Sequence, residues 1–224
     1  MRIGEARHIG KLLGGLSAEA ISPCVNLGSA TREFRENDQP HIDEYLFRPL
    51  EKRAVEVVHA DLKEGEGVDI VGDIYDRSVH EKIGALNPRI ILCCNMFEHV
   101  SDRERLAALL ASLVQESGYV LLTVPFSYPL HYDPIDTYFR PSPEELAALF
   151  PDFRKIESRI VSDTTYLQDL RRKNDLAGML RHFCVSALKF VAIWRGKRKW
   201  LSHVHRYFWL FRPYKVTLLL LQKN

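Results

Sequence analysis

Two apolar runs constrain the fold of this chain more than any other feature. They occupy Arg89 to Asn95 and Gly118 to Val124, and neither alternates between apolar and polar residues. A strand that is apolar on both faces needs cover on both sides, as in parallel sheets flanked by helices. Helical segments separate the predicted strands, among them Asp102 to Glu116, which carries a stripe of leucines. The chain is therefore predicted to form a three-layer α/β sandwich.

Five further strands complete the predicted sheet. They are Ile21 to Leu27, Val55 to Asp61, Gly67 to Asp73, Phe153 to Val161 and Val216 to Leu221. We predict a Rossmann-like, mostly parallel, seven-stranded sheet with an antiparallel pair at one edge. Pro125 is expected to end the fifth strand, and Ser101 to cap the helix after the fourth. One domain is predicted over 1–224, with a leading helix (1–20), a core (21–161), a helical C-terminal insertion (163–213) and a final strand (214–224).

Length and cysteine usage favour a reduced, cytoplasmic protein. A chain of 224 residues with 46% hydrophobic residues can bury a full core without disulfides or a structural metal. No cysteine pair has the CxxC spacing, and the four cysteines lie in or beside apolar runs, at Cys24, Cys93, Cys94 and Cys184. Basic residues interrupt the apolar positions of the first 16 residues, so a leading helix is expected there and not an export signal.

Charge is distributed unevenly along the chain. Residues 1–150 contain 15 Lys and Arg against 24 Asp and Glu, whereas residues 151–224 contain 16 against 5. A basic C-terminal region suits an acidic or membranous partner. It equally suits a helical face that packs on the acidic part of the same chain.

Acidic residues and a glycine turn stand at the predicted strand ends. Val25 to Thr31 reads as a strand, a glycine turn and a helix start, which presents backbone N–H groups to a ligand, although such turns often only reverse the chain. Asp61 ends the second strand, where an acid can accept hydrogen bonds from ribose hydroxyls. Asp73 and Ile74 follow the third strand and can face an adenine ring.

This succession resembles the class I S-adenosylmethionine-dependent methyltransferases, in the small-molecule branch whose fourth strand leads into an acid-His-Val triplet, here Glu98-His99-Val100. The resemblance covers about residues 20 to 160 and implies that S-adenosylmethionine is the cofactor. It implies these contacts: Gly28, Ser29 and Ala30 with the methionine part, Asp61 with the ribose, Asp73 and Ile74 with adenine, and Asn95 and Met96 with cofactor and substrate. Asn26 stands where the family has an acid, so an indirect hydrogen bond is expected there. Ala30 and Arg32 stand where further glycines are common.

The loop after the fifth strand carries the candidate catalytic residues. In open α/β sheets this loop overhangs the ligand crevice. His131 is the candidate general base for a hydroxyl acceptor, Asp133 or Asp136 can orient it, and Arg140 can bind an acidic acceptor. A structural alternative stays open, in which His131 bonds a loop carbonyl and Arg140 pairs with Asp136. The loose spacing of His131, Asp133 and Asp136 leads us to predict no metal site.

The C-terminal insertion combines apolar, basic and aromatic segments. The apolar run 183–194 is too short to span a membrane, and a basic cluster and aromatic residues follow it up to residue 211. Such a segment suits a substrate lid, a homodimer surface or a peripheral membrane contact through 183–211. No nucleic-acid-binding motif is present, and no nucleic acid partner is expected.

The sequence therefore predicts a methyltransferase that modifies a small molecule, a sugar or a lipid-linked glycan, in the cytoplasm or at the inner face of a membrane. The alternative is a non-catalytic methyltransferase-like binding or scaffold protein, motivated by Asn26 and Ala30. A nicotinamide oxidoreductase is disfavoured because the chain has no GxGxxG motif.

Overall fold

A computed structural model describes residues 1–131, 135–191 and 196–224, without the side chains of residues 191 and 197–199. Its strands are β1 (Cys24–Leu27), β2 (Val57–Asp61), β3 (Ile70–Val71), β4 (Ile90–Cys94), β5 (Tyr119–Ser127), β6 (Phe153–Thr165) and β7 (Pro213–Lys223). Its α-helices are α1 (Ile3–Gly14), α2 (Ala18–Ile21), α3 (Arg48–Glu51), α4 (Arg77–Ala85), α5 (Arg103–Leu113), α6 (Pro143–Ala147), α7 (Tyr166–Lys173), α8 (Leu176–Val191) and α9 (Lys197–Arg206). Short π-helical turns cover Phe34–Asp38 and Asp43–Phe47, and 3-10 turns cover Phe97–His99 and Tyr207–Trp209.

The strands form one seven-stranded sheet in the order β3-β2-β1-β4-β5-β7-β6. The first five strands are parallel, whereas β7 pairs antiparallel with both β5 and β6. The predicted Rossmann-like sheet with an antiparallel pair at one edge is therefore confirmed. The strand order reverses between β1 and β4, and ligands of such sheets bind at the carboxyl ends of the strands beside this point.

Both faces of the central strands are buried, as their unbroken apolar sequences predict. Ile91 and Cys93 of β4 pack in one cluster with α4 and α5, and Ile90 and Leu92 pack in a second cluster with α1. Each fully buried Leu or Ile side chain contributes about 1.5–3 kcal/mol relative to an exposed one. The two clusters hold the carboxyl ends of the strands as a rigid edge.

Several predicted boundaries were wrong for local reasons. Pro125 lies inside β5, where it pairs with Val216 beside a register shift, a position that tolerates its missing N–H. The cap of α5 is Asp102, whose side chain accepts from the backbone of Arg105, and not Ser101. The third strand is only two residues long, and Ile21 belongs to α2 instead of β1.

The insertion connects the end of β6 with the start of β7, and these two ends are paired neighbours in the sheet. Thr165, the last residue of β6, pairs with Pro213, the first of β7, and α7, α8 and α9 lie between them. Residues 192–195, part of the predicted apolar and basic segment, lie outside the described residues. Within the described part of the chain, no helix has both the length and the apolar character needed to cross a membrane.

Candidate functional site

The turn after β1 has the left-handed backbone that a glycine turn requires. Gly28 has φ +71° and Ala30 has φ +52°. The backbone N–H groups of Gly28 and Ser29 both donate to the carbonyl of Ala60 on β2. Ala30, which has a Cβ atom, therefore occupies a left-handed backbone position at which glycine is favoured by about 1 kcal/mol.

Asp61 fastens this turn to the end of β2. Its Oδ2 accepts from the Ala30 N–H at 2.7 Å, and its Oδ1 accepts from the Lys63 N–H at 3.0 Å. A carboxylate oxygen can accept two hydrogen bonds, so each oxygen of Asp61 keeps one acceptor position. Asp61 thus both shapes the turn and can still accept from a vicinal diol.

Arg35 closes the turn from the other side, and no sequence pattern indicates it. Its side chain is 5% exposed and donates to the carbonyls of Ser29 at 3.2 Å, Ala30 at 2.5 Å and Gly67 at 2.8 Å. Buried charges need hydrogen-bonding partners, and three carbonyls supply them here. Because Arg35 lies in a polar run without periodicity, its burial is not visible in the sequence.

Asn26 is buried against His59 of the neighbouring strand. The Asn26 amide nitrogen lies 3.1 Å from His59 Nδ1, and the two residues are direct neighbours in the β1–β2 register. Burial lowers the pKa of His59 to about 4, with Arg35 adding to the effect. A neutral imidazole therefore accepts from the amide at the position where the family has an acid.

Asp73, Ile74 and Met96, three further residues predicted to contact the cofactor, follow β3 and β4. Asp73 follows β3, and its Oδ1 accepts from the Tyr75 N–H at 2.9 Å. Ile74 is only 3% exposed and belongs to the core. Met96 follows β4, and its sulfur would lie 3.9 Å from a Cβ placed on Gly28. The Met96 side chain therefore packs beside the turn after β1.

A cavity of about 780 Å³ borders the carboxyl ends of β4 and β5. Its wall includes Asn95 and a buried acid from the leading helix, Glu5. Glu5 Oε1 accepts from the Asn95 amide at 2.7 Å and from the Thr123 hydroxyl at 2.6 Å, and Glu5 Oε2 accepts from the Arg2 N–H at 2.9 Å. Sequence reasoning missed Glu5, although its spacing of four from Ile9 places it on the apolar stripe of α1.

Two residues of the acid-His-Val triplet also line this cavity. Glu98 is 0% exposed, and burial raises its pKa to about 8. Neither of its carboxylate oxygens has a hydrogen-bond partner among the described residues. His99 bonds the Ile135 carbonyl through Nδ1, and its Nε2 lies 3.8 Å from Glu98 Oε1.

The loop after β5 brings three of its four predicted catalytic residues together. His131 lines the cavity, and its Nδ1 lies 3.2 Å from Asp136 Oδ2. Arg140 forms a two-point ion pair with Asp136, at 3.1 and 2.6 Å. Burial opposes ionisation of Asp136, but hydrogen bonds from Arg140 and the backbone hold its pKa below the ordinary value. Asp133 lies outside the described residues.

Arg140 therefore does not have the position expected of an acceptor-binding group. Both terminal nitrogens of its guanidinium bond Asp136, and one also bonds the Phe139 carbonyl. Arg140 therefore fixes the position of the Asp136 carboxylate, and Asp136 in turn contacts His131. The pairing of Arg140 with Asp136 is the contact that the structural alternative anticipated. The position of Asp136 beside His131 is the contact that the catalytic hypothesis anticipated.

The C-terminal insertion covers the cavity and is fastened to the leading helix. Side chains of α7 and α9 line it, among them Tyr166, Lys173 and Arg206. Arg2 joins the two regions: its guanidinium bonds Asp169 of α7 at 2.8 and 3.0 Å and stacks on Tyr214 at 4.3 Å. The insertion thus forms part of the cavity wall, which is the contact that a lid over the cavity requires.

No protein-family profile matches the chain, and no curated protein matches it in sequence. Solved structures do match. A SAM-dependent methyltransferase from Archaeoglobus fulgidus has 13% identity and a TM-score of 0.54, with 97% of this chain and 92% of that chain covered. Coclaurine N-methyltransferase bound to N-methylheliamine and SAH has 14% identity and a TM-score of 0.53, with 96% and 71% covered.

A third match broadens the chemistry associated with this architecture. The [4+2]-cyclase SpnF has 11% identity and a TM-score of 0.54, with 97% of this chain and 80% of that chain covered. A shared fold does not by itself fix a reaction. The similarity extends over nearly the whole length of this chain, and the chain has the fold of class I S-adenosylmethionine-dependent methyltransferases.

Proposed function

We propose that this protein is a methyltransferase that uses S-adenosylmethionine to modify a small molecule. The observation that carries the proposal is the placement of a left-handed turn, an acid and an amide at the ends of three adjacent strands. Gly28, Asp61 and Asn95 occupy these places on β1, β2 and β4, and Asn95 also borders the large cavity. Ligands of this sheet topology bind there.

The chain's acceptor groups fit this cofactor, whereas the N–H groups of Gly28, Ser29 and Ala30, expected to face a ligand, all donate within the protein. When bound, S-adenosylmethionine supplies a methyl group on a positively charged sulfur. Asp61 keeps two acceptor positions for the ribose hydroxyls, and Asp73 Oδ2 lies at the end of β3 for the nucleobase side. Gly28, Ser29 and Ala30 form the wall for the methionine part, with Asn26 preceding them on β1. Ile74, predicted to face adenine, is buried in the core.

His131 is proposed to receive the proton of an acceptor hydroxyl. Its Nδ1 faces Asp136, which leaves Nε2 for the acceptor, and Asp136 and Arg140 act as positioning residues. The cavity wall combines tyrosines with charged groups, which suits a polar acceptor such as a sugar or a lipid-linked glycan. Its members include Tyr128, Tyr166, Tyr214, Arg2, Asp169 and Arg206.

Calorimetric titration with S-adenosylhomocysteine tests the cofactor assignment. We expect one binding site per chain, and we expect Asp61→Ala to weaken binding at least tenfold because the turn loses its anchor and the ribose its acceptors. Asp152→Ala is the matched control, because Asp152 is exposed at the start of β6. No binding at millimolar ligand, or equal binding by the Asp61 variant, would reject the proposal.

Turnover on a panel of hydroxyl acceptors separates an enzyme from a scaffold. His131→Ala should lower turnover while the affinity for S-adenosylhomocysteine stays within about twofold. A chain that binds the cofactor and transfers no methyl group to any acceptor would instead favour the non-catalytic binding protein.

A second proposal concerns the location of the protein, since the insertion exposes apolar side chains beside basic ones. On α8, Leu176, Leu180 and Leu188 are 77%, 62% and 70% exposed, and Phe208 and Phe211 beyond α9 are 67% and 77% exposed. Basic residues surround α8 at Arg171, Arg172, Lys173, Arg181 and Lys189. We propose that this surface contacts an anionic membrane on its cytoplasmic side, where reduced cysteines such as the buried Cys24 and Cys93 persist.

Flotation with vesicles of anionic phospholipid tests the membrane contact. The unmodified chain should float at low salt, and the double variant Leu180→Glu, Leu188→Glu should stay in the soluble fraction. Leu62→Glu is the control, since Leu62 is 66% exposed on the loop after β2. A chain that stays soluble, or a dimer by light scattering that the double variant dissociates, would reject the membrane assignment in favour of packing between copies.

A further inference from the structure

Three side chains that the cofactor does not use converge at one wall of the cavity. Glu98, His99 and His131 each offer one potential ligand atom, and these atoms lie within 4.8 Å of one another. Glu98 and His99 belong to the 3-10 turn after β4, whereas His131 comes from the loop after β5. The topology therefore brings together residues more than 30 positions apart at the carboxyl ends of β4 and β5.

Glu98 lacks the partner that a buried carboxyl group requires. It is 0% exposed, and among the described residues neither of its oxygens has a hydrogen-bond donor. Burying an ionised carboxylate is costly unless it is paired, hydrogen-bonded or coordinated to a metal ion. A Glu98 carboxylate oxygen lies 3.8 Å from His99 Nε2, and the potential ligand atoms of Glu98 and His131 lie within 4.8 Å of each other.

Both imidazoles are held in the tautomer that a metal ligand needs. The Nδ1 of His99 contacts the Ile135 carbonyl, and the Nδ1 of His131 lies 3.4 Å from the Pro129 carbonyl and 3.2 Å from Asp136 Oδ2. These partners only accept hydrogen bonds, so each Nδ1 carries the proton and each Nε2 has a free lone pair. Metal-binding histidines are held by carbonyl or carboxylate groups in this way.

The spacing of the three groups fits a small transition-metal ion. With ligand distances of about 2.1 Å, a tetrahedral ion needs ligand atoms roughly 3.4 Å apart. The separation of 3.8 Å between His99 and Glu98 is close to this value, and the whole cluster fits after side-chain shifts of about an ångström. Two imidazoles and one carboxylate favour zinc or a neighbouring transition metal over Mg²⁺ and Ca²⁺.

We propose that Glu98, His99 and His131 bind a divalent transition-metal ion at the wall of the cavity. Asp136 and Arg140 then support the site from behind, because Asp136 orients His131 and Arg140 holds Asp136. The proposal departs from the sequence prediction of no metal site, which considered His131 with Asp133 and Asp136 but not with Glu98 and His99.

The ion changes the role assigned to His131. A metal ligand has no free Nε2 lone pair, so His131 is a ligand and not the base while the ion is bound. If the proposed function holds, the ion favours acceptors that offer an oxygen donor beside the group to be methylated. The metal site itself requires only the three side chains.

Equilibrium binding of Zn²⁺ to the tag-free, chelator-treated chain tests the proposal. We expect one Zn²⁺ per chain in a competition assay with a chromogenic chelator, and a cobalt-substituted sample should show the visible bands of a four- or five-coordinate ion. Glu98→Gln and His99→Gln should each weaken Zn²⁺ binding at least tenfold and shift or remove these bands. His80→Gln on α4 is the control, since His80 bonds Ser112 away from the cavity.

Two further measurements keep the outcome unambiguous. Thermal melts of each variant show whether the chain is folded. Asp136→Asn replaces the carboxylate that pairs with Arg140 and lies beside His131, and it should weaken Zn²⁺ binding by a smaller factor than Glu98→Gln. Absence of a stoichiometric site, or equal Zn²⁺ affinity in His99→Gln and the unmodified chain, would overturn the proposal. Binding of S-adenosylhomocysteine is measured on the same metal-free samples, so its loss would count against the proposed function and not against the metal site.

Discussion

Ala30 has a left-handed backbone conformation that its Cβ atom disfavours. The turn imposes φ +52° on it, and its N–H is held by Asp61 at 2.7 Å, so the backbone cannot relax toward a region that suits alanine. The exposed Ala54 has a similar backbone, with φ +55°, but lies after α3 and away from the crevice. A comparison of Ala30 with Ala54 therefore separates the effect of backbone strain on stability from any effect of the Ala30 methyl group on cofactor binding.

We predict that Ala30→Gly and Ala54→Gly each raise the free energy of unfolding by about 0.5–1 kcal/mol, because glycine accepts positive φ without a Cβ clash. Only Ala30→Gly should also tighten binding of S-adenosylhomocysteine, since only that methyl group borders the turn. Urea unfolding and calorimetry measure the two effects. A loss of stability in both variants would contradict the strain argument.

His59 makes stability depend on pH in a predictable direction. Burial, reinforced by Arg35, lowers its pKa in the folded chain to about 4, whereas an unfolded chain has a histidine pKa of about 6.5. Between these values the unfolded chain binds more protons, so the contribution of His59 is complete above about pH 6.5 and is lost as the pH falls toward 4. Asp69 opposes the shift but does not reverse it.

We predict that His59→Gln flattens the decline of unfolding free energy between pH 6.5 and 4, by up to about 1.4 kcal/mol per pH unit. Glutamine can still bond Asn26. Denaturant melts at several pH values, compared with those of His80→Gln, give the difference between the curves. Parallel curves for His59→Gln and the unmodified chain would show that protonation of His59 does not control this window.

Helix α1 is attached to the sheet by the buried Glu5 as well as by its apolar stripe. Glu5 receives hydrogen bonds from Asn95 after β4 and Thr123 of β5, so the leading helix completes the edge of the crevice. We predict that Glu5→Ala lowers the free energy of unfolding by about 2–4 kcal/mol, because the Asn95 amide, the Thr123 hydroxyl and the Arg2 N–H lose their acceptor. Glu19→Ala on α2 should change it by less than about 0.5 kcal/mol.

Urea unfolding of both variants checks this difference. Binding of S-adenosylhomocysteine should also weaken in Glu5→Ala, since the Asn95 amide loses its orientation. An unchanged midpoint would show that α1 is held by apolar contacts alone.

The elements also show where sequence reasoning succeeds. The strands β4 and β5 were predictable because burial on both faces leaves an unbroken apolar run. The cap of α5 was not, because Ser101 and Asp102 are adjacent residues that both favour capping, and only the turn geometry selects Asp102. Glu5, Asn95 and Thr123 meet across 90 or more positions, and no local pattern reports such a contact.

At the scale of the whole molecule, stability should be concentrated at the centre of the sheet. The strand β4 is buried on both faces, whereas Ser186 is the only fully buried residue among the described side chains of α8. Local opening needs less free energy where few apolar contacts are lost. The insertion is therefore expected to open independently of the sheet.

Hydrogen exchange followed by mass spectrometry measures this contrast. We predict that the amides of α8 exchange at least about a hundredfold faster than those of β4, with α5 as a helix control because Leu106 and Leu110 anchor it in the core. Anionic vesicles should slow exchange in α8 selectively. Equal protection of α8 and α5 would mean that the insertion is part of the cooperative core.

The candidate site was predictable only in its outline. The order of strands and the acids after them locate the crevice, because parallel strands bring their carboxyl ends to one edge. The positions of Arg35 and of Glu98, which has no hydrogen-bond partner among the described residues, depend on burial, and a polar sequence context does not reveal burial. The assembly of Glu98, His99 and His131 depends on how two separate loops fold back over that edge.

The pairing of Thr165 with Pro213 has a consequence for how proteins of this architecture can diversify and be engineered. Because the insertion starts and ends on neighbouring positions of one hairpin, residues 166–212 form a cassette whose exchange leaves the seven strands and the turn after β1 in place. A designer could graft the corresponding segment of another protein of this fold here without redesigning the strands. Evolution has the same route to new cavity walls, through a single stretch of chain that can be exchanged as a unit.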